Sequence, residues 1–422
     1  MEKMKIKLHD MLLSLSSTVD IITPEFGNHH QQVARLAYRL AEQMELPLQT
    51  KHIVFIAGML HDIGALSHED RVIPAGKTQM PGNCHAFRGA QLLEGYPLLT
   101  PVARAVRYHH VPWENGEGKW FRGERVPMES QLLHMAERVS MRITGPDDVL
   151  MQGKTIVEGA QKVGERRYMP ELIDALTEIG KKEYVWFELI NDGLFNNTDD
   201  ISINGMRYLG LEEVVDLSKI FARVIDFQNH FTVAHSVTVA AVAEKLGELG
   251  GFPEDECKML RIAGYLHDLG KLAVKGSILL KPGKLTSQEY DAVKSHAYYT
   301  YRLLSGISGL ETITKWAAFH HENLNGTGYP FHLEASGVPL GARIMAVADV
   351  FVALTEDRSY RKGMGKRQVI EVLRSMEKNG ELDREIVSCL VVNWDFFKEI
   401  CRESQKSALE EYRQFFDAGA GM

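Results

Sequence analysis

The chain has 422 residues, 45% hydrophobic and 25% charged, a globular composition long enough for two or three domains. Its 48 lysines and arginines against 56 acids leave a net charge of −8. That balance excludes a general binder of duplex nucleic acid or anionic membrane, because such binding rests on clustered positive charge. Cys84, Cys257, Cys389 and Cys401 lie far apart with no CxxC spacing, so neither a disulfide framework nor a zinc ribbon is expected, and a reducing cytoplasm fits.

From the N-terminus, Lys3, Lys5 and Lys7 precede Met11 to Val19, a stretch mixed with serines that lacks the apolar run and small-residue cleavage site of a signal peptide. No export is expected. At His29 an apolar stripe begins, with Val33, Leu36 and Leu40 at +4, +7 and +11, which is one face of an α-helix. IAGMLHDIGAL follows at Ile56 to Leu66 and contains His61-Asp62. The longest apolar run, Ile53 to Leu60, falls short of the roughly 20 residues that cross a bilayer, so no membrane partner is expected. Next come His85-Ala-Phe, His109-His110, and Val126-Pro127 with Glu137 ten residues past the proline, inside an apolar helical stretch. Ile143 to Glu213 is charged, with turn signals at Gly145-Pro146 and Asn196 to Asp200. Val149 to Ile190 reads as helices completing the first domain, with Trp186 and Phe187 in its core.

The series then repeats in register. His235 heads a stripe of Val239, Val242 and Leu246, and 32 residues on, as in the first copy, stands His267-Asp268 in IAGYLHDLGKL. His296-Ala-Tyr answers His85-Ala-Phe, and His320-His321 follows by the same 24 residues. Val338-Pro339 precedes Asp349 by the same ten. A repeat in register fixes the domain count. Residues 1–200 therefore form one domain with a helical extension and linker, and 201–422 a second with a helical tail. In that tail Trp394, Phe396, Phe397, Tyr412 and Phe415 read as apolar anchors packing on the second domain.

Each copy thus aligns five histidines and two acids with apolar helix faces. Burying them without a partner would leave polar groups at roughly 1–3 kcal/mol each, whereas divalent cations satisfy several at once. Adjacent residues in a helix differ by about 100°, so His-Asp and His-His can serve one site only across a helix face or at a helix end. Gly64 and Gly270, two residues past each His-Asp, supply such an end. Imidazoles, one carboxylate able to bridge and one terminal carboxylate match a two-metal site. Without thiolate they suit iron, manganese, cobalt or zinc. Two such ions orient a water on phosphorus and neutralise the leaving oxygen, so phosphoester hydrolysis is the expected chemistry.

Roughly Leu211 to Met376 resembles the HD-GYP phosphodiesterases, a branch of the HD-domain metal-dependent phosphohydrolases. The matching blocks are HDLGK (His267 to Lys271), ILLKPGKLT (Ile278 to Thr286), HHENLNGTGYP (His320 to Pro330), ARIMAVADVFVALT (Ala342 to Thr355) and RSYR (Arg358 to Arg361). The first half resembles a plain HD domain without a GYP block. The resemblance implies an all-α fold of tandem HD helical bundles. It implies one metal on His235, His267, Asp268 and Asp349, and a second on Asp268, His296, His320 and His321. Asp268 and Lys271 would be catalytic. Lys271, the loop residues Gly326, Gly328, Tyr329 and Pro330, and the arginines Arg358 and Arg361 would contact the cyclic dinucleotide. In that loop glycines allow positive φ and proline stiffens the turn. By the same resemblance the first domain would hold one or two metals on His29, His61, Asp62, His85, His109, His110 and Glu137.

Two positions depart from the family pattern. Phe231 stands where members with a third metal carry a glutamate, so two divalent ions are expected, iron or manganese foremost and cobalt, nickel or zinc as alternatives. Val352 replaces an acid of the DVFDAL motif, which is expected to loosen contacts behind Asp349. The family converts cyclic dinucleotides to linear 5′-phosphorylated dinucleotides. A bare HD domain beside an HD-GYP domain looks more like members acting on 3′,3′-cyclic GMP-AMP than on cyclic di-GMP. The first domain, with Ala65 where the second has Lys271, suits a smaller monoester and resembles HD-type 5′-nucleotidases, the linear product being its expected substrate. Three alternatives stand beside this reading. The chain could be a catalytically silent scaffold using the GYP surface for protein partners, a nucleotidase or alarmone hydrolase, or an enzyme whose first domain is kept for packing or homodimer formation.

Overall fold

The structure is a computed structural model and describes residues 5–22, 28–65, 84–190, 207–227, 232–281, 283–357 and 362–420. It is all-α. Among the described residues the only strands are two short antiparallel pairings, Ile6–Lys7 with Tyr208–Leu209 and Trp120–Phe121 with Glu124–Arg125. The chain forms two compact units. One comprises Met1–Ser14 with Tyr208–Gln414, the other Leu15–Arg207 with Phe415–Met422. The sequence division at 200/201 differs from this at both termini. The pairing of Ile6 with Leu209 that ties the N-terminal stretch to the second half joins residues about 200 apart and has no local signature.

The unit built on Leu15–Arg207 centres on three helices. His29–Gln43 packs against Leu48–Leu60 and Met128–Ser140. The stripe Val33, Leu36 and Leu40 is fully buried. A side chain at Gly58 would come within 2.5 Å of Ala34 Cα, so glycine lets the first two helices touch backbone to backbone. Helices Val149–Val163, Pro170–Gly180 and Glu183–Ile190 cover one side. Arg39 grips Glu188 with two hydrogen bonds of 3.0 and 2.7 Å, joining the last of these to His29–Gln43. Trp186 is buried and donates Nε1–H to Gly180 O, whereas Phe187 is 45% exposed, a correction to the expected core pair.

The other unit repeats the arrangement. His235–Leu249 packs against Glu254–Leu266 and Leu340–Thr355, and Gly264 meets Ala240 as Gly58 meets Ala34. Asp226 accepts from both Ser236 N and Ser236 Oγ, at 2.9 and 2.8 Å, and anchors the first turn of His235–Leu249. The tail is one helix, Trp394–Ala420. Trp394 and Phe397 lie against Phe351, and Tyr412 meets Phe227, while Phe396 is 49% exposed rather than an anchor. No described helix is long and apolar enough to cross a membrane.

Candidate metal centres

In each unit the second helix ends at the His-Asp pair. Leu48–Leu60 is capped by His61 and Glu254–Leu266 by His267, so the pair sits where the backbone turns and both side chains can face one place. The following glycines do not adopt positive φ as a left-handed end would require. They are needed for close approach. A Cβ at Gly270 would lie 1.9 Å from His296 O, and one at Gly64 2.2 Å from His85 O. That approach draws helices Ser287–Leu304 and Cys84–Glu94, with His296 and His85, onto the two His-Asp turns. In the second copy Thr300 Oγ1 donates to His267 O and accepts from Gly270 N, stitching the turn to its helix.

The structure brings the expected histidines together in four groups whose ligand atoms lie within 4.8 Å of one another. These are His235, His267 and Asp268; His296, His320 and His321; His29, His61 and Asp62; and Asp62, His85, His109 and His110. Asp268 lies between two of them, with Oδ2 3.2 Å from His267 Nε2 and Oδ1 3.6 Å from His296 Nε2. Asp62 repeats this at 3.5 Å from His61 and 3.2 Å from His85. Asp349 completes the first group of its copy at 3.1 Å from His235 Nε2. Its counterpart Glu137 lies instead beside His110, with Oε2 3.6 Å from Nδ1.

At five of the histidines the tautomer favours ligation. His61, His109, His267, His296 and His320 each direct Nδ1 to the carbonyl three residues back, at 2.6–2.8 Å, so Nδ1 carries the proton and Nε2 keeps its lone pair. Among the described residues, Nε2 of His61, His109 and His267 has no hydrogen-bond partner although it is buried. Buried polar atoms are rarely left so. In each copy two Nε2 atoms also face each other, His85 with His110 at 2.9 Å and His296 with His320 at 3.5 Å. Neighbouring ligands of one ion at about 2.1 Å stand roughly 3 Å apart. Burial pushes His61 and His296 down to about 4, so both are neutral at pH 7. Burial alone would raise the Asp268 carboxyl, but His267 and Lys271 carry it well below the carboxylate range. These features fit divalent cations in both units.

Lys271 forms an ion pair with Asp268 Oδ2. The loop after His320-His321 is cis at Tyr329-Pro330, and the Tyr329 ring lies 4.7 Å from that of His321. Gly326 has φ +76°, whereas Gly328 is required because its Cβ would lie 2.2 Å from Asn323 N. Arg358, Arg361 and Phe231 lie outside the described residues.

Four buried residues escaped the sequence reading. Glu322 accepts from Phe331 N at 2.7 Å and Leu333 N at 2.9 Å, folding the loop back on its own start. Glu356 accepts from His235 Nδ1 at 3.0 Å. Val352 is fully buried, and the carboxylate behind the site stands one turn further along the helix. In the first copy Ser140 Oγ takes the equivalent place, 3.1 Å from His29 Nδ1, while donating to Gln32 Oε1. Finally His134, directly behind His109, donates Nδ1–H to His109 O. Glu322 adjoins the His-His pair and was readable there. Glu356, Ser140 and His134 do not recur between copies.

The HD domain family matches residues 26–142 and again 219–386. The 3′3′-cGAMP-specific phosphodiesterase 1 of Vibrio cholerae is 30% identical over 403 residues, covering 92% of each chain. A cyclic di-GMP phosphodiesterase response regulator of Xanthomonas campestris is 41% identical over 143 residues, 33% of this chain and 38% of its own. A crystal structure of a cyclic GMP-AMP-specific phosphodiesterase of Vibrio cholerae superposes with a TM-score of 0.64 at 20% identity, covering 93% of this chain and 98% of that one. It supports the fold.

Proposed function

The chain belongs to the HD-domain phosphodiesterases, and from that membership we propose that its second half opens a cyclic dinucleotide, 3′,3′-cyclic GMP-AMP in preference to cyclic di-GMP, to the linear 5′-phosphorylated dinucleotide. The observation that carries this reading is Asp268, which offers one carboxylate oxygen to each of two histidine groups and carries Lys271 at its edge. Matching over 92% of both chains to a relative named for 3′3′-cGAMP supports the preference, since the cyclic di-GMP relative aligns over a third of the chain.

His235, His267, Asp268 and Asp349 would hold one ion, and Asp268, His296, His320 and His321 the other. Imidazole with carboxylate suits iron or manganese, then cobalt, nickel or zinc. Bound ions supply Lewis acidity toward phosphoryl oxygens and an acidified water. The chain's own residues do the rest. Asp268 fixes the spacing of the two groups. Lys271 presents its ammonium where charge develops on the phosphoryl oxygens. Tyr329, its ring set against His321, offers a face beside the site for a base or sugar.

For the first half we propose a 5′-phosphatase acting on the linear product. Its bridging Asp62 and five surrounding histidines match the second copy, while Ala65 replaces the lysine and a short hairpin replaces the GYP loop. A smaller, terminal phosphate fits that site.

The test is anaerobic purification with metal analysis, then chromatography of products from both cyclic dinucleotides. Two ions per second-half site and faster opening of cyclic GMP-AMP are expected. Faster turnover of cyclic di-GMP would reverse the preference. No turnover of either by metal-loaded protein would favour the scaffold alternative.

A further inference from the structure

Away from the histidine clusters, the unit built on Leu15–Arg207 contains a cavity of about 940 Å³. Its wall includes Arg104, Trp113, Lys119, Trp120, Arg125 and Gln131. The chain builds this place deliberately. Trp120 and Arg125 are cross-strand partners in the two-residue hairpin and so share a face. The opposite face carries Phe121, packed on Phe87 and Tyr108, and Glu124, which accepts from Tyr108 Oη. The hairpin is therefore clamped by one face while the other holds an indole that is 61% exposed. Trp113 is fixed by hydrogen bonds of its own N–H to Arg167 O and of Gly118 N to its carbonyl, with Lys119 Nζ 5.0 Å from its ring centre.

Gln131 points to a ligand independently. It is 3% exposed, and its Nε2 donates to Val111 O at 3.1 Å, which fixes the amide orientation. Gln131 lines the cavity, and its buried Oε1 has no hydrogen-bond partner among the described residues. Such an acceptor calls for an N–H or O–H donor.

We propose that this cavity binds a purine nucleoside monophosphate. An exposed indole on a rigid hairpin is a stacking surface for a base. Gln131 Oε1 accepts from the exocyclic amine or ring N–H of a purine. Arg104, Lys119 and Arg125 meet phosphate, but Glu129, Glu165 and Glu171 also line the wall. Three cations against three carboxylates suit a single phosphate better than a polyphosphate. The volume lies within the roughly 300–1,000 Å³ of small-molecule sites.

The site is separate from the catalytic reading above and is tested separately. The full-length protein is dialysed to equilibrium against radiolabelled GMP or AMP. Saturable binding is expected, weakened about tenfold or more by Trp120→Ala and by Gln131→Leu and kept by His267→Ala/Asp268→Ala. Trp120 is exposed, so its variant folds, and it should still open cyclic dinucleotide. Three results would each overturn the proposal: no saturable binding of either nucleotide, equal affinity in wild type and both cavity variants, or loss of binding in His267→Ala/Asp268→Ala, which would put the nucleotide in the histidine cluster.

Discussion

Asp62 and Asp268 occupy the same place in their copies, yet only Asp268 has a lysine on it; Ala65 is buried where Lys271 reaches out. A single preorganised charge aimed at a transition state is commonly worth about 10²–10³ in rate. Lys271→Ala should therefore cut turnover by about that factor with metal content unchanged, read by steady-state kinetics beside elemental analysis; unaltered kinetics would reduce Lys271 to a counter-charge for Asp268. Glu356 acts one layer further out, fixing His235 so that Nε2 faces Asp349. Replacing such a partner costs about 10–100-fold in metal affinity. Glu356→Gln should show this loss in competition with a chelator, whereas a variant that binds metal as wild type does would make the contact one of packing alone. The contrast also shows what the repeat could reveal. Residues shared by both copies, the His-Asp and His-His pairs above all, stand out by spacing. Glu356 and Ser140 do one job from different positions, so no register links them.

At the scale of elements, the amphipathic stripes from His29 and His235 gave both central helices, because a buried face imposes its period on the sequence. Paired aromatics were harder. Trp186 with Phe187 and Phe396 with Phe397 are chain neighbours about 100° apart on a helix, so burying one exposes the other. The glycines after each His-Asp were legible as necessary but not why, since the neighbour that excludes a side chain comes from a helix distant in sequence. Gly270→Ala must push His296 O away from 1.9 Å. Overpacking of this kind costs about 1–3 kcal/mol and would also shift His296. A lowered melting temperature together with weaker metal retention is expected. Gly276→Ala, where nothing lies within 4 Å, should match wild type. If both variants melt alike, the close approach is not what glycine serves.

For the whole molecule, two copies of one three-helix arrangement were readable from the matched series, and the match to a relative over 92% of its length agrees with both being present. The strand pairing that carries the N-terminal stretch to the second half was not readable, because two-residue strands carry no period. The two copies should differ in chemistry as they differ around Asp62 and Asp268. Linear pApG or pGpG should lose phosphate to wild-type protein and not to His61→Ala/Asp62→Ala; equal release from both, or none from wild type, would leave the first copy a structural partner. The most direct test of the central claim sets two double variants side by side in one assay of cyclic dinucleotide opening. His267→Ala/Asp268→Ala should lose activity by orders of magnitude, each tenfold being about 1.4 kcal/mol of barrier, while His61→Ala/Asp62→Ala opens the ring at the wild-type rate and accumulates the 5′-phosphorylated product. Near-wild-type ring opening by His267→Ala/Asp268→Ala would contradict the assignment of that reaction to the second copy.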